Sequence, residues 1–250
     1  MNLIDGKSEF WNAYESVLEE VRMSGLPRSV GYASPHRYRW LVAFDKFQQI
    51  FKKSDCQMLD IGATPFTLIL RRLRPNDQLF ALDMIDDWKG LLESHGIQFE
   101  KCNLESSSIP FSDNSLDFIF FCEVIEHLQT NPIPILADLR RVLKPGGILI
   151  IQTPNLARHS NRIRLCHGIS PLKIGMPGSQ FPPHWREYTL KELSQLISIS
   201  KLKILEATYQ TYFERGYHRR SVGWIAEYAS RIVPSLSSGI TLIAQKTHWW

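Results

Sequence analysis

The chain has 250 residues, 44% of them hydrophobic and 22% charged, a balance that suits a soluble protein with one buried core and excludes a disordered chain. Its formal net charge of +4 tolerates anionic partners but falls short of the basic signature of a nucleic-acid binder. Cys56, Cys102, Cys122 and Cys166 form no C-x-x-C pair, Met1 to Asn12 carries Asp5, Lys7 and Glu9, and no apolar run approaches the ~18 residues of a membrane span, so a single-domain, reduced, cytoplasmic protein without a secretory signal is expected.

Phe10, Trp11, Tyr14, Val17, Leu18 and Val21 recur at helical spacing until Leu26, Pro27 and Gly31 break the pattern. A second helix is expected over about 36–53, with Trp40, Leu41, Phe44, Phe47 and Phe51 on one face, so residues 1–53 form a helical cap ahead of the first strand. Strands and helices then alternate: strand 57–61, helix 65–74, strand 78–83, helix 86–94, strand 97–103, strand 116–122, helix 133–143, and a turn through Lys144 to Gly147 into the strand ILIIQT. Such alternation argues for a parallel sheet covered on both faces, and LDFIFFC and ILIIQT lack polar alternation, as central strands should.

The long segment after Pro154 holds many turn formers and no clean period, so 156–188 is read as a substrate-facing loop or lid. A helix from Leu190 to Ser200, a strand near Leu202 to Tyr212, a helix near Ser221 to Val233 and the strand ITLIAQK complete the pattern, with no role evident for Trp249 and Trp250. The segment YHRRSVGWIAEYASRIV is basic and amphipathic; packing on the sheet is the expected use, and peripheral membrane contact is the alternative.

The string QMLDIGATPFT reads as a strand, a sharp turn at Gly62 and a helix start, with Thr64 as the cap and Pro65 at the first helical position. Asp83 ends the next strand about 20 residues after Gly62, the interval between a nucleoside-binding turn and the acid that holds ribose hydroxyls, which points to an adenosine-containing ligand. The turn lacks G-x-G-x-x-G, so a dinucleotide pyrophosphate is not expected. Further along, Glu123, Glu126 and His127 stand at i, i+3 and i+4, which would give them one face of a helix starting at the carboxyl edge of the sheet, and His184 opens the string HWREYT.

With those strings in place, the chain resembles a class I S-adenosylmethionine-dependent methyltransferase. LDIGATPFT, ALD at 81–83, CNLESSSIPFSDNSLDFIFFCEVIEHL and LRRVLKPGGILIIQTPN resemble four successive motifs of that family, and the resemblance covers roughly residues 36–246. It implies an α/β fold: a doubly wound, mostly parallel seven-stranded sheet with an antiparallel last strand and helices on both faces. It also implies S-adenosylmethionine as cofactor, with Asp60 and Gly62 at its amino acid end, Asp83 on the ribose diol, Asn103 and Leu104 at the adenine and Cys122 completing the lining. Asn103 stands where the family usually has an acid, and Thr64 and Phe66 replace later motif glycines.

The resemblance implies methyl transfer, for which O-methylation of a small molecule such as a glycan, a lipid-linked precursor or a specialised metabolite is the leading reading. A hydroxyl acceptor must lose its proton, and His127 is the first candidate for general base, with His184 the second. No metal is expected. Were one present, Glu123, Glu126, His127 and His184 resemble the metal-binding set of small-RNA 2′-O-methyltransferases and ubiquinone-pathway O-methyltransferases and would suit Mg²⁺ or Mn²⁺. Without one, ion pairs of these acids with Arg140, Arg141 or Arg186 are expected. Tyr32, His36, Arg37 and Tyr38 would cover the cofactor from the N-terminal side. A metal-dependent RNA 2′-O-methyltransferase and a non-catalytic binding subunit stay open as alternatives, and the sequence leaves the oligomeric state unknown.

Overall fold

The computed structural model describes residues 3–26, 29–172, 183–211 and 223–247. Helices α1 (Leu3–Met23) and α2 (Ser29–Ile50) come first, then β1 (Gln57–Ile61), α3 (Pro65–Leu73), β2 (Gln78–Asp83), α4 (Lys89–Ser94), β3 (Gln98–Lys101) and β4 (Leu116–Cys122). After one 3₁₀ turn (Ile125–His127) follow α5 (Pro132–Val142), β5 (Leu143–Pro154), α6 (His159–Cys166), α7 (Leu190–Ile199), β6 (Lys203–Gln210), α8 (Gly223–Ile232) and, past a short turn at Pro234–Leu236, β7 (Gly239–Gln245).

The seven strands form one sheet in the order β3-β2-β1-β4-β5-β7-β6. The first five are parallel, and β7 runs antiparallel to both β5 and β6. Because alternate side chains leave a strand on opposite faces, each central strand feeds two cores. Met58, Leu79, Ala81, Phe118, Phe120, Ile148 and Ile150 meet α1, α2 and α3 on one face. Leu59, Ile61, Leu82, Ile119, Phe121, Leu149 and Ile151 meet α5 and α7 on the other. An aromatic seam closes the first core, with Phe47 edge-on to Phe118 at 4.8 Å and Trp40 stacked on Phe66 at 6.1 Å.

Several boundaries differ from the expectations. The second helix begins at Ser29, not near His36, and carries Pro35 inside it. Pro35 removes the donor that would reach the Gly31 carbonyl, but burial of Ala33, Trp40, Ala43, Phe44 and Phe47 along the same helix outweighs that loss. The helix expected at 86–94 starts only at Lys89. In the loop after Pro154 the structure has α6, which HSNRIRLC conceals because Ile163 and Leu165 are exposed and so leave no apolar period. Tyr212, Ser221, Val222, Trp249, Trp250 and the stretch 173–182 lie outside the described residues. Tyr228, Ile232 and Val233 at the end of α8 are exposed, so this end does not pack on the sheet as expected. No helix of the described residues is long and apolar enough to cross a membrane.

The chain runs outward from β1 through β2 to β3 and, on the other side, from β4 to β5. The crevice between β1 and β4 is therefore the point where strand order reverses, the usual ligand position in an open α/β sheet. Everything singled out from the sequence between Asp60 and His127 lies at or beside the carboxyl ends of these strands.

Candidate functional site

On the β1 side the turn is built from local rules. Gly62 has φ +87°, a conformation that a side chain resists, and a Cβ there would come within 3.0 Å of Val124 Cγ2. Thr64 then caps α3 as the sequence suggests: its hydroxyl accepts from the Phe66 N–H at 3.3 Å, Thr67 Oγ1 accepts from the Thr64 N–H at 3.3 Å, and Pro65 takes the first helical position. Thr67 also donates to Asp60 Oδ2 at 2.6 Å, a link that the sequence reading missed and that its position in the capping box could have signalled. Burial pushes the Asp60 carboxyl up to about 7, the Asp83 charge adds to the rise, and the Thr67 hydrogen bond opposes it.

Asp83 sits beside this turn. Its Oδ2 accepts from the Ala63 N–H at 2.9 Å and its Oδ1 from the Ile85 N–H at 3.1 Å, so the glycine bend and the strand-end acid share one spot. Burial raises the Asp83 carboxyl above its ordinary value, and the backbone donors of Ile85, Ala63 and Met84 offset part of that rise. A carboxylate has about four acceptor sites, so these bonds leave capacity for a ribose hydroxyl. With a glycine at the bend and a strand-end carboxylate beside it, the residues present fit an adenosyl cofactor.

Asn103 is placed next to β2, where the Cys102 N–H reaches the Asp83 carbonyl at 2.9 Å. Its Oδ1 accepts from the Glu105 N–H at 3.0 Å, so the side chain shapes its own turn. Leu104 packs on the second core with Phe111. Cys122 ends β4, its thiol raised by burial and by the charges of Asp60 and Glu123. The four cysteines are free thiols, Cys56 and Cys102 buried and Cys166 exposed on α6.

Beyond β4 the expected helix does not form. Glu123 adopts φ +58°, its N–H bonds to the Gln152 carbonyl at 2.8 Å, and only Ile125–His127 make a 3₁₀ turn, so the three residues do not share a helix face. The left-handed step at Glu123 still brings the acids together. Glu126 is buried and Glu123 largely so; burial raises both carboxyls, and the Arg39 charge opposes the rise at each. Thr153 Oγ1 donates to Glu126 Oε2 at 2.9 Å.

The expected arginine partners are absent. Arg141 pairs with Asp138 at 2.5 Å and Asp113 at 2.8 Å, Arg140 Nε donates to the Lys201 carbonyl at 3.1 Å, and Arg186 pairs with Glu192 at 3.2 Å. Glu123 instead forms a buried ion pair with Arg39 of α2. Arg39 was missed because a buried arginine on an aromatic helix face carries no periodic signal. The expected cover from α2 is thus split. Tyr32 and His36 lie beside Arg39, their rings 3.9 Å apart, whereas Tyr38 packs on Trp11 at 5.4 Å and Arg37 lies over Tyr38 at 5.3 Å. Burial, with help from the Arg39 charge, drives the His36 imidazole down to about 3, so it is neutral.

His127 and His184 meet, with ring centroids 4.9 Å apart. His127 Nδ1 lies 3.0 Å from the Pro183 carbonyl, and His184 Nδ1 lies 3.1 Å from Glu187 Oε1. Burial lowers the His127 imidazole, and its bond to Pro183 resists. One ligand atom each from Glu126, His127 and His184 falls within 4.8 Å of the others, and Glu126 Oε1 is buried with no donor among the described residues. This donor set, a carboxylate oxygen with two imidazoles, fits a divalent cation. Glu123, held by Arg39, stands outside it. The segment carrying His184 is pinned from two sides: the N–H groups of Trp185 and Arg186 reach the Glu126 carbonyl at 2.8 and 3.2 Å, and Tyr188 bridges to Asn155.

Residues 59–151 match the family described as Methyltransferase domain. An uncharacterised methyltransferase of Schizosaccharomyces pombe is 26% identical over 137 residues, which is 50% of this chain and 49% of that protein. The chain thus spans about half the length of that relative. Among solved structures, the methyltransferase of Haloferax volcanii in complex with the Trm112 methyltransferase activator superimposes with a TM-score of 0.60 at 15% identity, covering 88% of this chain and 94% of that one. The 1,6-didemethyltoxoflavin-N1-methyltransferase of Burkholderia thailandensis, solved with 1,6-didemethyltoxoflavin and S-adenosylhomocysteine, gives 0.56 at 16% identity over 94% and 89% of the two chains. At such identities the structural likeness is one of fold. Strand order, the turn at Gly62 and the matched domain over residues 59–151 agree in their likeness to class I S-adenosylmethionine-dependent methyltransferases.

Proposed function

We propose that the protein is a methyltransferase that uses S-adenosylmethionine to methylate a hydroxyl group of a small molecule. The observation that carries this reading is the contact of Asp83 Oδ2 with the Ala63 N–H at 2.9 Å, which puts a hydroxyl-accepting carboxylate against the Gly62 bend at the strand-order switch point. When bound, the cofactor supplies an electrophilic methyl group on a sulfonium. In this reading Asp83 accepts from a ribose hydroxyl, and the backbone at Gly62 with the start of α3 receives the amino acid end near Asp60. Leu104 and Phe111 provide apolar surface for the base. Positioning supplies much of the rate, and the remaining task is removal of the acceptor's proton, for which the imidazoles of His127 and His184 lie across β4. Helices α1 and α2 cap the cleft, and α6 with 183–188 faces the acceptor. The free cysteines fit a reducing compartment such as the cytoplasm.

The test is thermal unfolding with S-adenosylhomocysteine, which binds only the folded chain if this reading holds. A melting temperature that climbs with ligand concentration is the expected outcome, by the equivalent of about 2.7 kcal/mol at a hundredfold excess over Kd. A flat response at millimolar ligand would remove the proposal.

A second reading is favoured by the convergence of Glu126, His127 and His184 within 4.8 Å: a divalent ion held there that grips the acceptor oxygen. Titration with Mn²⁺ distinguishes the two. Stabilisation by Mn²⁺ that vanishes in His184→Ala supports the metal, and indifference to both Mn²⁺ and chelator supports the metal-free site.

A further inference from the structure

The two histidines are not equivalent, and the difference lies behind them. Glu187 is almost fully buried, while the His184 side chain is about a third exposed. Every acceptor site on the Glu187 carboxylate is used. Oε2 accepts from an Arg158 guanidinium nitrogen at 2.5 Å and from Asn161 Nδ2 at 2.9 Å; Oε1 accepts from the other Arg158 nitrogen at 3.0 Å and from His184 Nδ1 at 3.1 Å. Arg158 and Asn161 are anchored in turn, by the carbonyls of Asn155 at 3.2 Å and Leu156 at 2.9 Å. A carboxylate this fully engaged has no capacity left for substrate. It can only orient its neighbour.

We infer that Glu187 is a positioning residue for His184: clamped by Arg158 and Asn161, it keeps the imidazole hydrogen on Nδ1 and the lone pair on Nε2, which makes His184 the base that receives the acceptor's proton. An Nδ1 lone pair facing a carboxylate oxygen at 3.1 Å would be repelled, so this nitrogen carries the hydrogen. His127 also spends Nδ1, on the Pro183 carbonyl, but that partner is neutral and the ring is more deeply placed. When the hydroxyl proton passes to Nε2, the resulting imidazolium on His184 donates from Nδ1 to an anion, whereas one on His127 would donate from Nδ1 to a neutral carbonyl. The order of the two candidates read from sequence is thereby reversed. Bases of this kind contribute on the order of 10²- to 10⁴-fold to rate.

This inference rests on the methyltransferase reading for the identity of the proton, but its test needs no cofactor or acceptor. Heteronuclear NMR of the histidine ring nitrogens in the full-length chain should show His184 as the Nδ1–H tautomer. Glu187→Gln, whose amide can present either an acceptor or a donor, should lose that preference and leave the His127 signals in place. A wild-type His184 carrying its hydrogen on Nε2 overturns the assignment without any variant, as does a Glu187→Gln spectrum in which the His184 ring nitrogens do not move. Failure of S-adenosylhomocysteine to bind would count against the methyltransferase reading and leave the tautomer result untouched.

Discussion

Across β1 and β2 the chain builds one side of the cleft from near neighbours in sequence. Gly62, Ala63, Thr64 and Thr67 lie within one strand-turn-helix unit, and Asp83 is delivered by the next strand. Across β4 and β5 the other side is gathered from far apart: Arg39 from α2, Glu123 and Glu126 after β4, Thr153 from β5, and Arg158, His184 and Glu187 from a long excursion. The first side is secured by backbone conformation and caps, the second by buried charge pairs. Buried pairs fail in a different manner: loss of one partner leaves the other charged or unsatisfied in a place that water does not reach.

Five substitutions would break or sharpen this contrast. The largest effect is expected for His184→Ala, which should cut turnover on any accepted hydroxyl by about 10²- to 10⁴-fold with S-adenosylhomocysteine affinity unchanged; a parallel drop in affinity would mean that the two sides of the cleft are not separable. Arg39→Met should cost about 3–5 kcal/mol of stability in urea unfolding, because it strands Glu123 in the interior. Adding Glu123→Gln should return much of that loss, and additivity of the two changes would show that the pair is not coupled.

Asp83→Ala acts on the local side. It removes an acceptor worth about 1.5–3 kcal/mol per charged hydrogen bond, so affinity for S-adenosylhomocysteine should fall at least tenfold by calorimetry. The last change concerns pH. Asp60 is raised in the folded state to about 7 from an ordinary 3.8, so between those values the folded chain holds a proton that the unfolded chain has released. Ligand-free stability is therefore fully present below the lower value and declines as pH rises through the upper one, by at most about 1.4 kcal/mol per pH unit. Asp60→Asn should flatten this slope in urea titrations at pH 5 and pH 8; an unchanged slope assigns it to another group.

How much could be read in advance follows the same divide. β1, the Thr64 cap, β2, β4 and β7 are written in short-range patterns: an uninterrupted apolar run, a cap residue before Pro65, a strand-end acid at the right interval. Glu123, Glu126, His127 and His184 were found as residue types, but the helix proposed for the first three fails because Glu123 turns left-handed and its N–H bonds to the Gln152 carbonyl, a contact that no local spacing records. Arg39 and Glu187 escaped notice for a related reason. Each matters through one partner far along the chain, and Glu187 in the string HWREYT looks no different from a solvated acid until Arg158 and Asn161 close around it.

The parallel bridge between Asn155 and Tyr188, with the Leu156 N–H on the Tyr188 carbonyl at 2.9 Å, ties the two ends of residues 156–187 together at the rim of the sheet. A stretch hinged at one point can be lengthened, shortened or exchanged at its apex while its base keeps its footing. The length between these two ends can therefore change while Arg158, His184 and Glu187 keep their mutual contacts.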